Sequence, residues 1–194
     1  MIICVVGLQG SGKSKVGDLL RKKGFFVQEM GDVVRNIMMQ RHLEITTESL
    51  RNFSQKLRET GGQSAVAKQA LDIVKRSKSK NKAIIGVRSM HELEILKKTE
   101  KNMAVIAVYA PEKTRFERII KRGKKEDPKN RKEFRWIAKR EMLGFSTNLK
   151  EVKYGLKKVM QSADYVLLNT GSLVDLKKNL DVILKTINMS LGKK

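Results

Sequence analysis

The chain has 194 residues, of which 40% are hydrophobic, so it is long and apolar enough to bury the core of one globular domain. Its single cysteine excludes an internal disulfide, and its longest apolar run, residues 103–110, is too short to cross a bilayer. The net charge of +22 is far more than one small anionic ligand requires, and it predicts a general attraction to polyanions.

The first predicted elements are a strand, a glycine-rich loop and a helix. Residues 1–6 form a short apolar run typical of a buried strand, and Val16, Leu19 and Leu20 recur further on at helical spacing. The sequence between them matches G-x-x-x-x-G-K-[ST] at every fixed position and consists of Gly7, Leu8, Gln9, Gly10, Ser11, Gly12, Lys13 and Ser14. Such a loop directs backbone N–H groups at the phosphates of a nucleotide. The alternative is a glycine turn without a ligand, and the strand and helix on either side argue against it.

Two side chains of this loop have separate predicted roles. Lys13 is expected to reach the β- and γ-phosphates of a bound nucleotide, and the hydroxyl of Ser14 is expected to ligate Mg²⁺. ATP and Mg²⁺ are therefore the cofactors that the loop predicts.

Short apolar runs then alternate with helical patterns along the rest of the chain. Further strands are predicted at residues 25–27, 83–85, 103–109 and 165–168. Helices are predicted from the apolar stripes within residues 50–61, 65–74, 89–96, 111–120, 149–160 and 172–187. This alternation is typical of an α/β protein with a parallel sheet covered on both faces.

Two arginines are expected at the ligand-binding rim of this sheet. Ligands bind beyond the carboxyl ends of parallel strands, so the segments that follow the strands should share one rim. Arg35 follows the second predicted strand and Arg88 follows the third. Each arginine alone is better explained as a surface charge. Together they suit a second phosphoryl group, because a guanidinium binds phosphate oxygens with two parallel hydrogen bonds.

Three pieces of the sequence, in this order, resemble the nucleoside monophosphate kinases such as adenylate kinase. They are the loop at residues 7–14, Gly31-Asp32-Val33-Val34-Arg35, and Gly86-Val87-Arg88-Ser89. The likeness is closer to an archaeal family of adenylate-kinase-like proteins related to dephospho-coenzyme A kinase. The resemblance implies a P-loop NTPase fold in a single domain of residues 1–194, with a five-stranded parallel sheet and helices on both faces. It also implies a helical acceptor arm near residues 33–62 and a lid near residues 121–140.

The resemblance implies roles for individual residues as well. Asp32, Arg35 and Arg88 would bind the acceptor, Arg88 also acting in catalysis with Lys13, and Asn169 would contact the donor base. Lid arginines would close over the transferring group, and the candidates are Arg118, Arg122, Arg131 and Arg135. The implied reaction is in-line transfer of the γ-phosphoryl group of ATP to a nucleotide or nucleotide-like monophosphate, through positioning and charge neutralisation.

One position departs from the family pattern. The family places an aspartate, which orients hydrated Mg²⁺, directly before the glycine of the G-V-R-S segment, whereas this chain has Ile85. Three explanations stay open: Asp32 substitutes, Ser14 and the phosphates suffice, or the protein binds nucleotide with little turnover. The last explanation makes a nucleotide-binding switch or a slow ATPase the alternative function.

The excess charge leaves two interpretations open. Lysine-rich segments at residues 75–82, 121–132 and 177–185 favour a non-specific or specific RNA or ribosome contact through a basic surface. A solvated lysine-rich surface is the second interpretation, and the aromatic content of only 5% favours it over a nucleic-acid contact. Since the chain lacks the layout of a signal peptide at its start, we expect a cytoplasmic protein with no membrane partner.

Overall fold

The computed structural model describes residues 1–124, 127–143 and 155–191 of the chain. Its strands are Ile2–Val6 (β1), Phe26–Glu29 (β2), Lys82–Ile85 (β3), Met103–Tyr109 (β4) and Tyr165–Leu168 (β5). Its helices are Lys13–Lys22 (α1), Met30–Gln40 (α2), Thr47–Gly61 (α3), Ala65–Arg76 (α4), Met90–Thr99 (α5), Glu112–Arg122 (α6), Arg131–Leu143 (α7), Leu156–Gln161 (α8) and Leu173–Leu191 (α9).

The strands form one parallel sheet in the order β2-β3-β1-β4-β5. All the carboxyl ends therefore lie at the same edge, with the loop after β1 at the centre of that edge. This arrangement confirms the predicted α/β class and the predicted five-stranded parallel sheet.

Both faces of the sheet are buried, as the unbroken apolar sequence of β1 requires. Ile2, Cys4 and Val6 contribute to a core cluster shared with α2, α4, α5 and α8. Ile3 and Val5 point to the opposite face, where α1 and α9 complete a second cluster. Burial raises the pKa of the Cys4 thiol to about 12, so this side chain stays protonated within the core.

The second strand differs from its prediction at both ends. It was expected at residues 25–27, but it starts at Phe26 and continues to Glu29. Gln28 and Glu29 pair in register with Ile84 and Ile85 of β3. Their polar side chains resemble a loop in the sequence, yet they are tolerated because β2 is an edge strand. Helix α2 follows at once, which brings Glu29 to the carboxyl edge of the sheet.

Two predicted helix starts are confirmed by their hydrogen bonds. The Ser89 hydroxyl accepts a hydrogen bond of 3.2 Å from the backbone N–H of Glu92, and the Ser172 hydroxyl accepts one of 3.2 Å from that of Asp175. The predicted helix at residues 149–160 is observed as α8, and its first six residues lie outside the described part of the chain. No helix among the described residues is long and apolar enough to span a membrane.

Candidate functional site

The loop between β1 and α1 has a backbone that favours glycine at three positions, Gly7, Gly10 and Gly12, and the last two show the reason most clearly. Gly10 has φ of 78°, and a Cβ there would lie 2.5 Å from the carbonyl oxygen of Arg115. Gly12 has φ of 99°, and a Cβ there would collide with the side-chain amide of Asn169. Left-handed backbone and close packing together exclude larger residues. The loop is therefore held in its curled conformation by neighbours from α6 and from the end of β5.

The first turn of α1 carries no side-chain cap. Gly12 stands at the N-cap without a side chain, and the first turn contains no acidic residue. By contrast, the side chain of Thr46 caps α3 and that of Ser89 caps α5. The free N–H groups and the positive end of the dipole leave the start of α1 suited to an external anion.

Lys13 lies across this loop. Its Nζ donates hydrogen bonds of 2.7 Å to the carbonyl oxygen of Gly7 and 2.9 Å to that of Leu8. Burial lowers the pKa of Lys13 to about 8, although the nearby carboxylate of Glu141 opposes the shift. The ammonium group thus sits in a low-dielectric position where an anionic ligand would gain most from it.

Two buried donors beside the loop have no hydrogen-bond partner among the described residues. They are the hydroxyl of Ser11, whose residue is 1% exposed, and Nη1 of Arg118. The side chain of Asn169 links both residues: its Nδ2 donates to the Ser11 carbonyl oxygen at 2.8 Å, and its Oδ1 accepts from Arg118 Nη2 at 3.2 Å. Buried donors normally have partners, so two together indicate a place for an acceptor-rich ligand. Asn169, predicted to contact the donor base, braces the loop.

Oxygen ligands for a divalent cation lie at the start of α1. The Ser14 hydroxyl donates a 3.4 Å hydrogen bond to Oε2 of Glu29, and Arg21 lies 3.8 Å from the other oxygen of Glu29. A hydroxyl and a carboxylate are the hard ligands that Mg²⁺ prefers. Among the described residues no group of three or more His, Cys, Asp or Glu side chains could hold a metal alone. This donor set therefore fits Mg²⁺ that also binds a nucleotide's phosphates.

Residues of the predicted lid touch the loop at Gln9. The backbone N–H of Gln9 donates to Glu141 Oε2 at 3.4 Å, and its side-chain amide donates to Asp127 Oδ1 at 3.4 Å. Arg115 supports the same residue from α6, since its Nη1 donates to the Gln9 carbonyl oxygen at 3.3 Å. Asp127 of the predicted lid and Glu141, the residue just after that lid, thus contact the loop at Gln9.

Arg88 connects the carboxyl edge of the sheet to helices α5 and α7. Its guanidinium pairs with Glu141 at 3.3 Å, and its backbone N–H donates to Glu92 Oε2 at 2.9 Å. The other oxygen of Glu92 pairs at 2.8 Å with Arg58 of α3, and both side chains are buried. Arg35 pairs with Asp32 one turn earlier on α2, at 2.6 Å. Every predicted acceptor-binding residue therefore has an ionic partner within the protein.

The predicted lid arginines have different surroundings. Arg118 lies beside Asn169 and the loop, whereas Arg122 binds Asp127 through Nε at 2.9 Å. Arg131 and Arg135 pair with Glu112 of α6, at 3.6 Å and 2.7 Å, on the protein surface. Their predicted closing role stays a prediction, and Arg118 is the candidate that the structure brings to the loop.

Three residues of the site were missed in the sequence. Glu29 was assigned to no element because β2 was predicted to end at residue 27, although it lies only two residues before Gly31, where the segment containing Arg35 begins. Arg115 and Glu141 lie within amphipathic helices, where a charged residue is typical of a solvated face. No local sequence signal separates these two from the other charges on α6 and α7.

Comparison with known proteins finds a matching family model and relatives that span nearly the whole chain. A family model described as an AAA domain matches residues 3–138. A UPF0200 protein of Thermococcus kodakarensis is 34% identical over 195 residues, covering 96% of this chain and 100% of the relative. A UPF0200 protein of Sulfurisphaera tokodaii is 37% identical over 186 residues, covering 96% of this chain and 97% of the relative.

Solved structures of kinases share the fold. Shikimate kinase from Bacteroides thetaiotaomicron superimposes with a TM-score of 0.65 at 14% identity, covering 95% of this chain and 98% of that one. Shikimate kinase from Aquifex aeolicus superimposes with a TM-score of 0.57 at 18% identity, covering 95% of this chain and 96% of that one. These likenesses confirm the P-loop NTPase fold in the kinase-like form. They leave the adenylate kinase and dephospho-coenzyme A kinase resemblance as a prediction.

Proposed function

The chain belongs to the UPF0200 family and to the AAA-domain family of P-loop kinase-like proteins, and from this premise we propose that it transfers the γ-phosphoryl group of ATP to a nucleotide or nucleotide-like monophosphate. The fold of its kinase neighbours supports nucleotide-dependent phosphotransfer in general terms. The donor, the metal and the class of acceptor are our proposals.

The observation that carries the proposal is the group of unused donors at the loop. The first turn of α1 is uncapped, and the Ser11 hydroxyl and Arg118 Nη1 have no partner among the described residues. The ammonium group of Lys13 is held at the same loop by the carbonyl oxygens of Gly7 and Leu8. A polyphosphate would satisfy all of these groups at once, because each phosphate offers several acceptor oxygens. Mg²⁺, held by Ser14 and the phosphates, would neutralise charge on the transferring group.

The acceptor side favours a substrate that carries its own phosphate. Arg35 and Arg88 are both paired with carboxylates, Asp32 and Glu141, at distances of 2.6 Å and 3.3 Å. A phosphate group could take the place of either carboxylate at its arginine, and the displaced carboxylate would then lose this partner. We therefore propose residues 33–62 as the acceptor arm and residues 121–140 as the lid of a single domain.

A second candidate function is a nucleotide-binding switch or slow ATPase. It is favoured by Ile85, which is 2% exposed and lies in the core at the position where the resemblance to nucleoside monophosphate kinases implies an aspartate. Without an acceptor site in use, the same loop would bind ATP and hydrolyse it slowly.

Contact with RNA stays a prediction from the net charge of +22. Titration with RNA at several salt concentrations tests it, since binding to a polyanion weakens steeply as salt rises. Binding that is absent at low salt would contradict it.

A coupled assay of ADP release separates the two main candidates. The purified protein, ATP and Mg²⁺ are incubated with AMP, CMP, GMP, UMP or dephospho-coenzyme A, and with shikimate or gluconate as acceptors that lack a phosphate. We expect one monophosphate to raise ADP release about tenfold or more above the rate without acceptor. A rate that no acceptor changes would instead support the slow ATPase.

Replacement of the loop lysine tests the donor site directly. Lys13→Ala should weaken ATP binding about a hundredfold, because it removes a buried charged donor from the phosphates. Lys22→Ala, on the exposed end of the same helix, is the matched control and should bind ATP as the wild type does. ATP affinity measured by calorimetry decides, and equal affinity of Lys13→Ala and wild type would contradict the assigned site.

A further inference from the structure

We propose that Glu29 is the metal-positioning carboxylate of this protein and replaces the aspartate that position 85 lacks. The inference rests on the proposed function, because it assumes that Mg²⁺ binds together with a nucleotide at the loop. It assigns to β2 a role that the resemblance implied for β3.

Strand register places the two positions side by side. Glu29 is the in-register partner of Ile85 in the parallel pairing of β2 with β3. Partners in register point to the same face of a sheet, and neighbouring strands are about 4.8 Å apart. Glu29 therefore stands one strand further from the centre than position 85, on the same face and at the same carboxyl edge. The longer side chain of glutamate covers part of that extra distance.

Ile85 itself fills the space beneath α1. Its side chain belongs to the core cluster on that face, and its Cδ1 would lie 2.6 Å from a Cβ added to Gly17. Such close packing between β3 and α1 is apolar, and it leaves no polar group of position 85 for a cation. A carboxylate for the metal must therefore come from another element.

The contacts of Glu29 match this requirement. Its Oε2 accepts the hydrogen bond of 3.4 Å from the Ser14 hydroxyl, the predicted metal ligand. Its Oε1 lies 3.8 Å from Arg21, which keeps the carboxylate turned toward α1. The side chain is only 22% exposed, so its charge is screened less by water than that of a surface residue. Glu29 is thus placed to accept hydrogen bonds from water ligands of a cation held at Ser14.

Asp32, the substitute considered from the sequence, is engaged elsewhere. It accepts hydrogen bonds from Arg35 Nε at 3.1 Å and Arg35 Nη2 at 2.6 Å. Using Asp32 for the metal would break both of its hydrogen bonds to Arg35, whereas Glu29 already contacts Ser14.

Metal affinity, rather than turnover, tests the assignment. Binding of Mn²⁺ to the protein–ADP complex is followed by electron paramagnetic resonance for wild type, Glu29→Gln and the control Glu94→Gln, an exposed residue of α5. We expect Glu29→Gln to weaken Mn²⁺ binding about tenfold or more, the usual effect of losing a group that orients a metal's ligands. ADP affinity in excess EDTA should stay within about twofold of wild type. Glu94→Gln should match wild type in both measurements.

A double variant provides a second test of the role of Glu29. Glu29→Gln combined with Ile85→Asp returns the carboxylate to β3 and should restore part of the lost Mn²⁺ affinity. Circular dichroism checks that each variant is folded, and if the double variant does not fold, Glu29→Gln alone decides. Unchanged Mn²⁺ affinity in Glu29→Gln, while wild type binds Mn²⁺ and ADP normally, would overturn the role of Glu29 and leave the proposed function intact. Failure of wild type to bind ADP at all would overturn both.

Discussion

The two halves of the site are built differently. On the proposed donor side, consecutive residues between β1 and α1 form the loop, and its shape depends on packing around Gly10 and Gly12. On the proposed acceptor side, arginines from separate elements are each paired with a carboxylate, such as Arg88 with Glu141. The donor side is therefore preformed, whereas the acceptor side holds its charges in internal pairs that a ligand must exchange.

This difference predicts which substitutions should change ligand affinity most. Each hydrogen-bond donor of a preformed loop adds directly to the affinity for the ligand, because the loop has little to reorganise on binding. Paired arginines lose their internal partner when they bind a substrate, so part of the gain is offset. Glu92 supports this side of the site, because its carboxylate binds both Arg58 of the predicted arm and the backbone N–H of Arg88.

The largest expected effect concerns the buried pair that supports the acceptor side. Arg58→Met should lower the free energy of unfolding by about 3–5 kcal/mol, because it leaves the charge of Glu92 buried without its partner. The exposed Arg76→Met on α4 is the control and should change stability by less than about 0.5 kcal/mol. Urea denaturation followed by circular dichroism measures both. A loss below about 1 kcal/mol for Arg58→Met would mean that the pair does not hold the arm.

The next effect separates acceptor binding from donor binding. Arg88→Ala should weaken binding of the monophosphate that the ADP-release assay selects about thirtyfold, because it removes one charged hydrogen-bonding group. ATP affinity should change less than about threefold. Calorimetric titration of each ligand gives the two values. Equal losses for both ligands would show that Arg88 serves the donor side as well.

The pH dependence of ATP binding sharpens the description of the donor side. Burial lowers the pKa of Lys13 to about 8, so the free protein loses this positive charge above that pH. Bound phosphates require the ammonium form, and ATP affinity should therefore fall about tenfold between about pH 7 and pH 9. Lys13→Arg stays charged over this range and should show a flat profile. A wild-type affinity that does not fall above pH 8 would contradict the buried position of Lys13.

The smallest effect tests the residue that joins the two sides. Glu141 places a carboxylate 3.4 Å from the backbone N of Gln9, at the loop that we propose binds phosphate. Glu141→Gln should therefore raise ATP affinity about threefold at about pH 7, because it removes a like charge from the site. Glu117→Gln, on the exposed face of α6, is the control. Weaker ATP binding in Glu141→Gln would instead indicate that Glu141 supports the loop.

Local sequence patterns predicted the scaffold well for a physical reason. The runs at residues 103–109 and 165–168 were predicted as strands and are β4 and β5, because both runs are apolar without interruption. The predicted bounds of β2 were less accurate, because Gln28 and Glu29 extend this edge strand with polar side chains. That single boundary error also concealed Glu29 as a candidate for the site.

By itself the sequence determined the loop and the α/β alternation, because both depend on neighbours a few residues apart: glycines that permit a left-handed backbone, and apolar residues at strand or helix spacing. Which charged residues lie close together at the site depends on the tertiary structure and does not follow from local sequence patterns. Gln9 and Glu141 are 132 residues apart in the chain, yet they lie within hydrogen-bond distance. Such contacts depend on how α6 and α7 pack beside the sheet, and helical periodicity alone does not tell a charge that faces solvent from one that faces the loop.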